Sequence, residues 1–98
     1  SPYQIGSGVT QIVGLSNSGK TAQAILPSDG MEGKVIYVKQ IGAGNIRVSP
    51  KSGQKIYDDN SENAYYECSC GQEMKFTFAK YRIDSVTTEA WLVSRWKF

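Results

Sequence analysis

The sequence predicts an all-β fold, a small antiparallel sandwich or barrel-like domain, and three observations carry that expectation. Apolar residues alternate with a period of two wherever a period can be read, and turn-forming clusters separate the alternating runs. Tyrosine outnumbers phenylalanine six to three in a chain with ten glycines. A period of two places successive side chains on opposite faces of a pleated strand. Aromatic and β-branched residues fit such half-buried surfaces, and Gly, Pro, Asn and Ser supply the tight turns between them. At 98 residues the chain has room for one core, burying about 60–65% of its unfolded surface.

The first element is a short strand at Ile12-Val13, and the residues after it need a test. Gly14-Leu15-Ser16-Asn17-Ser18-Gly19-Lys20-Thr21 satisfies the phosphate-loop pattern G-x-x-x-x-G-K-[ST]. That pattern binds nucleotides when backbone N–H groups at a helix N-terminus cradle phosphates, with Lys and Thr completing the charge and magnesium contacts. A helix from Thr21 would be stopped at Pro27 after less than two turns, and no later strand offers an Asp for magnesium. The match at Gly14, Gly19, Lys20 and Thr21 is therefore read as a coincidence, a strand–turn–strand with no nucleotide and no other cofactor.

Val35-Ile36-Tyr37-Val38 is apolar on both faces and reads as a central or doubly covered strand. Asn45-Ile46-Arg47-Val48-Ser49 swaps polar and apolar strictly, as does Glu73-Met74-Lys75-Phe76-Thr77-Phe78. Pro27-Ser28-Asp29-Gly30, Gly42-Ala43-Gly44-Asn45 and Ser49-Pro50-Lys51-Ser52-Gly53 break the chain between runs. On the last strand Ala90, Leu92, Ser94, Trp96 and Phe98 share one face, which places Trp96 in the core. Trp91, Val93, Arg95 and Lys97 share the other.

Charge is uneven. Asp58 to Glu73 holds five acidic residues and no basic one, whereas Lys34 to Lys55 holds five basic residues and no acidic one. The acidic stretch reads as a long exposed loop running into a strand, the kind of segment where binding is commonly placed. Tyr65, Tyr66, Tyr81 and Trp91 sit beside polar neighbours and are candidate contact rings, with Arg82, Asp58, Asp59 and Asn60 as polar candidates. Asp58-Asp59-Asn60-Ser61-Glu62 lacks calcium-loop spacing and reads as solvated.

Composition argues against several classes of function. The chain has no histidine, which removes the usual catalytic triads and most transition-metal sites, so no catalytic or metal-binding residue is assigned and the domain is expected not to be an enzyme. Cys68 and Cys70 are two residues apart, awkward for a disulfide, and are expected to be reduced. The formal charge of +2 is too small to argue for nucleic acid. No stretch approaches the roughly 18 apolar residues of a membrane-spanning helix, so no membrane insertion is expected. Ser1-Pro2 reads as an internal point of a longer chain.

One ordered set of motifs resembles a known family. Ile25-Leu26-Pro27, Gly33-Lys34-Val35-Ile36-Tyr37-Val38-Lys39, Ile41-Gly42-Ala43-Gly44-Asn45-Ile46-Arg47-Val48-Ser49-Pro50 and Ser52-Gly53-Gln54-Lys55-Ile56, closing on Glu89-Ala90-Trp91-Leu92-Val93, are similar to C-terminal segments of phage tail-fibre and receptor-binding proteins. The likeness covers about residues 22–57 and 88–98. It implies a β-sandwich tip, a homotrimer on a fibre axis, located in the virion and binding a glycan or protein of a bacterial cell surface. It brings no catalytic residues. In that frame residues 1–20 form a strand connecting to the shaft and 21–98 the tip domain. Residues 58–87, with the basic Lys80-Tyr81-Arg82 group, depart from the pattern and are where specificity is expected. The alternative reading is a carbohydrate-binding or adhesion module of a larger secreted protein.

Overall fold

The computed structural model describes residues 2–27, 32–58, 61–83 and 85–98, with 81–83 as backbone only. Its strands are β1 (Tyr3–Gln4), β2 (Gln11–Gly14), β3 (Thr21–Ile25), β4 (Val35–Gln40), β5 (Asn45–Ser49), β6 (Ile56–Asp58), β7 (Ser61–Asn63), β8 (Tyr66–Ser69), β9 (Gln72–Ile83) and β10 (Val86–Lys97). Among the described residues there is no helix, and the fold is all-β. The strands form a four-stranded sheet of order β1-β3-β5-β8 and a six-stranded sheet of order β2-β4-β9-β10-β6-β7.

Both sheets are mixed, where the turn pattern predicted antiparallel ones. The pairs β1–β3, β3–β5, β2–β4 and β6–β10 run parallel; β4–β9, β9–β10, β5–β8 and β6–β7 run antiparallel. The reason lies in the route of the chain. From β1 to β5 it passes from one sheet to the other at every step, so each strand enters its sheet in the direction of its predecessor there. Parallel neighbours need a crossover connection, and here the crossover is a strand of the opposite sheet.

The two successive coils touch at their turns, and this contact explains three glycines. The amides of Gly42 and Gly44 donate to the carbonyls of Gly14 and Ser16, and that of Asn45 to Lys20. A Cβ on Gly42 would run into the backbone of Leu15 and Ser16, and one on Gly44 into the carbonyl oxygens of Asn17 and Lys20. Gln40 sits fully buried at this junction and donates from Nε2 to Ser16 Oγ and to the carbonyls of Gly42 and Gly44, each at 3.0 Å. Its Oε1 has no hydrogen-bond partner and occupies the place where a Cβ of Gly14 would stand. The Cα–H of Gly14 therefore faces that oxygen, a weak contact only glycine permits.

The same residues account for the phosphate-loop pattern. Gly14 ends β2, Gly19 turns the chain at a φ of 77°, and Thr21 opens β3, a strand and not a helix. The pattern lies on a strand–turn–strand in which Gly14 meets Gln40 and Gly19 supplies the positive φ of the turn.

Between the sheets, one cluster holds Ile36 and Val38 of β4, Met74, Phe76 and Phe78 of β9, and Trp91 and Val93 of β10 against Ala24, Ile46, Val48, Tyr66 and Cys68 of the smaller sheet. Ile5 and Leu26 join it, both fully buried. Each large side chain so buried contributes about 1.5–3 kcal/mol relative to exposure. Strand β4 is central, between β2 and β9, but only one of its faces is covered: Ile36 and Val38 are buried and Tyr37 is exposed.

Candidate functional site

The residues singled out in the sequence separate into three groups. Trp91 is a correction: it is fully buried, packs edge-on against Phe78 with ring centroids 5.1 Å apart, and donates its indole N–H to Gln54 Oε1. It is a core residue, not a contact ring. Tyr66, 5% exposed, is also core. Its hydroxyl accepts from Asn63 Nδ2, and the Arg95 guanidinium lies 5.2 Å from its ring centroid. Arg95 in turn donates to Asp58 Oδ2 at 2.7 Å. Asp58 and Tyr66 are thus brought together, in a contact that ties β6 and β10 of one sheet to β8 of the other.

Tyr65 is exposed, but the Arg47 guanidinium covers its ring at 4.2 Å and pairs with Glu67 at 2.7 Å. Tyr81 and Arg82 stand on β9 opposite Thr88 and Thr87, with their side chains outside the description. Asp59 and Asn60 lie outside the described residues. Among described residues no group of His, Cys, Asp and Glu is placed to hold a metal ion. Cys68 and Cys70 are free thiols. Burial pushes the Cys68 thiol up to about 11, while Cys70 is exposed.

The structure assembles a different surface from residues that sequence reasoning passed over. On the outer face of the six-stranded sheet, the register aligns Val13, Lys39, Glu73 and Trp96 in one row across β2, β4, β9 and β10. Gln11, Tyr37, Lys75 and Ser94 form the next row, and Val35, Thr77 and Leu92 a third. Val13, Tyr37, Leu92 and Trp96 of these rows are exposed, as are Ile41 and Phe98 just beyond the ends of β4 and β10. Trp96, expected in the core, is 38% exposed. β10 carries an apolar set on each face, and pairing with β9 and β6 turns the Trp91 set inward.

This face has a defined internal order. Tyr37 and Trp96 meet edge to face, centroids 6.4 Å apart and planes 73° apart, so they form a corner instead of a flat floor. Lys39 Nζ sits 4.3 Å from the Phe98 centroid, and Lys75 Nζ 6.0 Å from that of Tyr37. Trp96 Nε1 donates to Glu73 Oε1 at 3.1 Å. The ion pairs of the described residues are Arg47–Glu67, Lys55–Glu62 and Arg95–Asp58, so neither Lys39 nor Lys75 has a carboxylate partner. Rings offer apolar contact area, ammonium groups offer charge and donors, and the two are interleaved within one open face. The available signal was the polar alternation Glu73-x-Lys75-x-Thr77, which marks an outward face on β9; nothing local said that Tyr37 and Trp96 join it.

Comparison with known proteins finds no matching family, no matching curated relative and no matching solved structure.

Proposed function

We propose that this chain is a surface-recognition domain of phage tail-fibre type, a β-sandwich tip that works as a homotrimer in the virion and attaches to a glycan or protein of a bacterial cell surface. The observation that supports it most is the exposed aromatic and apolar outer face of β2, β4, β9 and β10. Large apolar side chains exposed together on one face are the kind of surface that marks an interaction site in a folded domain. The two sheets enclosing one core supply the sandwich. Assembly has its own surface in this reading. The first strand of each sheet, β1 and β2, is an edge, and unpaired edges are templates for strands of neighbouring chains.

Light scattering on the purified chain tests the assembly: three times the 10.8 kDa chain mass is expected. A monomer at high concentration removes the trimer and leaves the alternative, an adhesion or carbohydrate-binding module, which the single-chain face suits equally well. Binding to bacterial cells, compared between the unaltered chain and Trp96→Ala, tests recognition. Equal binding by both would take the aromatic face out of the function.

A further inference from the structure

We infer that the outer face of β2, β4, β9 and β10 binds a carboxylated saccharide, a glycan strand bearing uronate or sialate groups; this rests on the recognition reading above and gives its ligand a chemical class. Lys39 and Lys75 stand diagonally on adjacent strands, since Lys39 is opposite Glu73 and Lys75 is two residues further along β9, a separation of about 7–8 Å between backbones. Each is held at an aromatic ring. Glu73, the cross-strand neighbour of Lys39, accepts from Trp96 and makes no ion pair with either lysine. Two positive charges are thus left for an outside partner.

The rings narrow the partner. A pyranose presents a C–H face that packs on an aromatic ring, and the Tyr37–Trp96 corner offers one ring to that face and a second to its edge. A neutral sugar would answer the rings and leave both ammonium groups unmatched. A carboxylated sugar answers both. Of the described carboxylates of the acid-rich segment, Asp58, Glu62 and Glu67 are already paired with Arg95, Lys55 and Arg47, and Glu73 lies within the face itself, accepting from Trp96. A second copy of the chain would have to meet Lys39 and Lys75 with Glu32 or Glu89, exposed carboxylates outside that segment, an outcome read as a rise in mass with concentration. Glu73 within the face also disfavours a uniformly polyanionic strand with charge at every unit, such as nucleic acid.

The test titrates the full chain with oligogalacturonate and with a sialylated oligosaccharide, each against a neutral malto-oligosaccharide of equal length, by calorimetry and tryptophan fluorescence. The expected result is binding of a carboxylated probe, weakened by salt, with an emission change absent from Trp96→Phe. Lys39→Gln with Lys75→Gln should lose at least about tenfold in affinity, the arginine replacements should retain it, and Lys80→Gln, exposed on the β9–β10 hairpin, should stay within about twofold. Equal binding of the neutral probe, or full affinity in the double glutamine variant, overturns the inference while recognition stands. No binding by either carboxylated probe overturns it too. If the mass then rises with concentration and Trp96→Ala abolishes that rise, the face joins copies; if cell binding is also absent, the recognition reading falls with it.

Discussion

The two outer faces of this molecule are built from the same alternation and end in opposite chemistry. On the four-stranded sheet the outward residues include Thr21 and Gln23 of β3, Asn45, Arg47 and Ser49 of β5, and Glu67 of β8. Its charges close on themselves, as in Arg47–Glu67, and of its exposed rings Tyr65 is capped by Arg47 while Tyr3 stands on the edge strand β1. On the six-stranded sheet the outward residues include exposed Val13, Tyr37, Leu92 and Trp96 among Gln11, Glu73, Thr77 and Ser94, with Lys39 and Lys75 lacking a carboxylate partner. A sandwich core requires apolar residues only on the inner faces. The polar sheet shows that this chain meets that requirement without a greasy exterior, so the rings of the other sheet are not explained by folding. The proposal that they form a contact surface supplies a reason for them.

Comparing the two tryptophans of β10 gives the largest expected effect. Trp91→Ala should destabilise the chain by about 3–5 kcal/mol, as removal of a fully buried aromatic side chain does. Trp96→Ala should stay within about 1 kcal/mol. Urea denaturation followed by circular dichroism measures both. If Trp96→Ala costs as much as Trp91→Ala, the outer face belongs to a hidden core and the contrast between the faces breaks.

Next in size is the junction between coils, which both sheets share. Gly44→Ala forces a methyl group onto the carbonyls of Asn17 and Lys20, for which a loss of about 1–3 kcal/mol is expected. The same measurement serves. A neutral result would mean that the turns separate at no cost, and the parallel coil would lose its physical basis.

Cys68 gives a pH-dependent test of the interior. Its thiol is raised by burial from 9.0 to about 11, so above pH 9 the unfolded chain releases this proton before the folded one does. The stabilisation is complete below pH 9 and is lost as pH rises towards 11. The melting temperature should fall across that window more steeply in the unaltered chain than in Cys68→Ala. At neutral pH a thiol reagent should modify Cys70 quickly and Cys68 only on unfolding. Rapid reaction of both would place Cys68 outside the core. The smallest effect is expected on the polar sheet: Arg47→Ala should cost under about 1 kcal/mol, because the pair it breaks is half exposed.

Much of the strand content was legible. Alternation marked residues 45–49 and 73–78, and both are strands of the expected phase, with Ile46, Val48, Met74, Phe76 and Phe78 buried. The turn at Gly42-Ala43-Gly44 was visible, but its reason was not. Glycine there reads as turn chemistry, whereas the structure shows two glycines kept small by a second turn lying against them. Sheet direction was not legible, because consecutive strands from β1 to β5 lie in different sheets and local turn signals carry no information about that. The site was the least legible part. Tyr65 and Tyr66 stood out by polar neighbours in sequence, yet one is capped by Arg47 and the other is buried under Arg95.

Residue order alone settled that much of the backbone would be extended, several places where it would turn, and which side chains along each strand would share a side, since these follow from the two-residue repeat and from glycine and proline. It read the acidic stretch from Asp58 as a loop, where the structure has β7. It left open which of the two sides would face inward. On β10 both sides carry a tryptophan, and the choice was made by partners far along the chain: Phe78 and Ile56 stand opposite Trp91, while Glu73 stands opposite Trp96. Burial is a property of the assembled pair of sheets, so the core ring and the surface ring could be distinguished only once β6, β9 and β10 lay side by side.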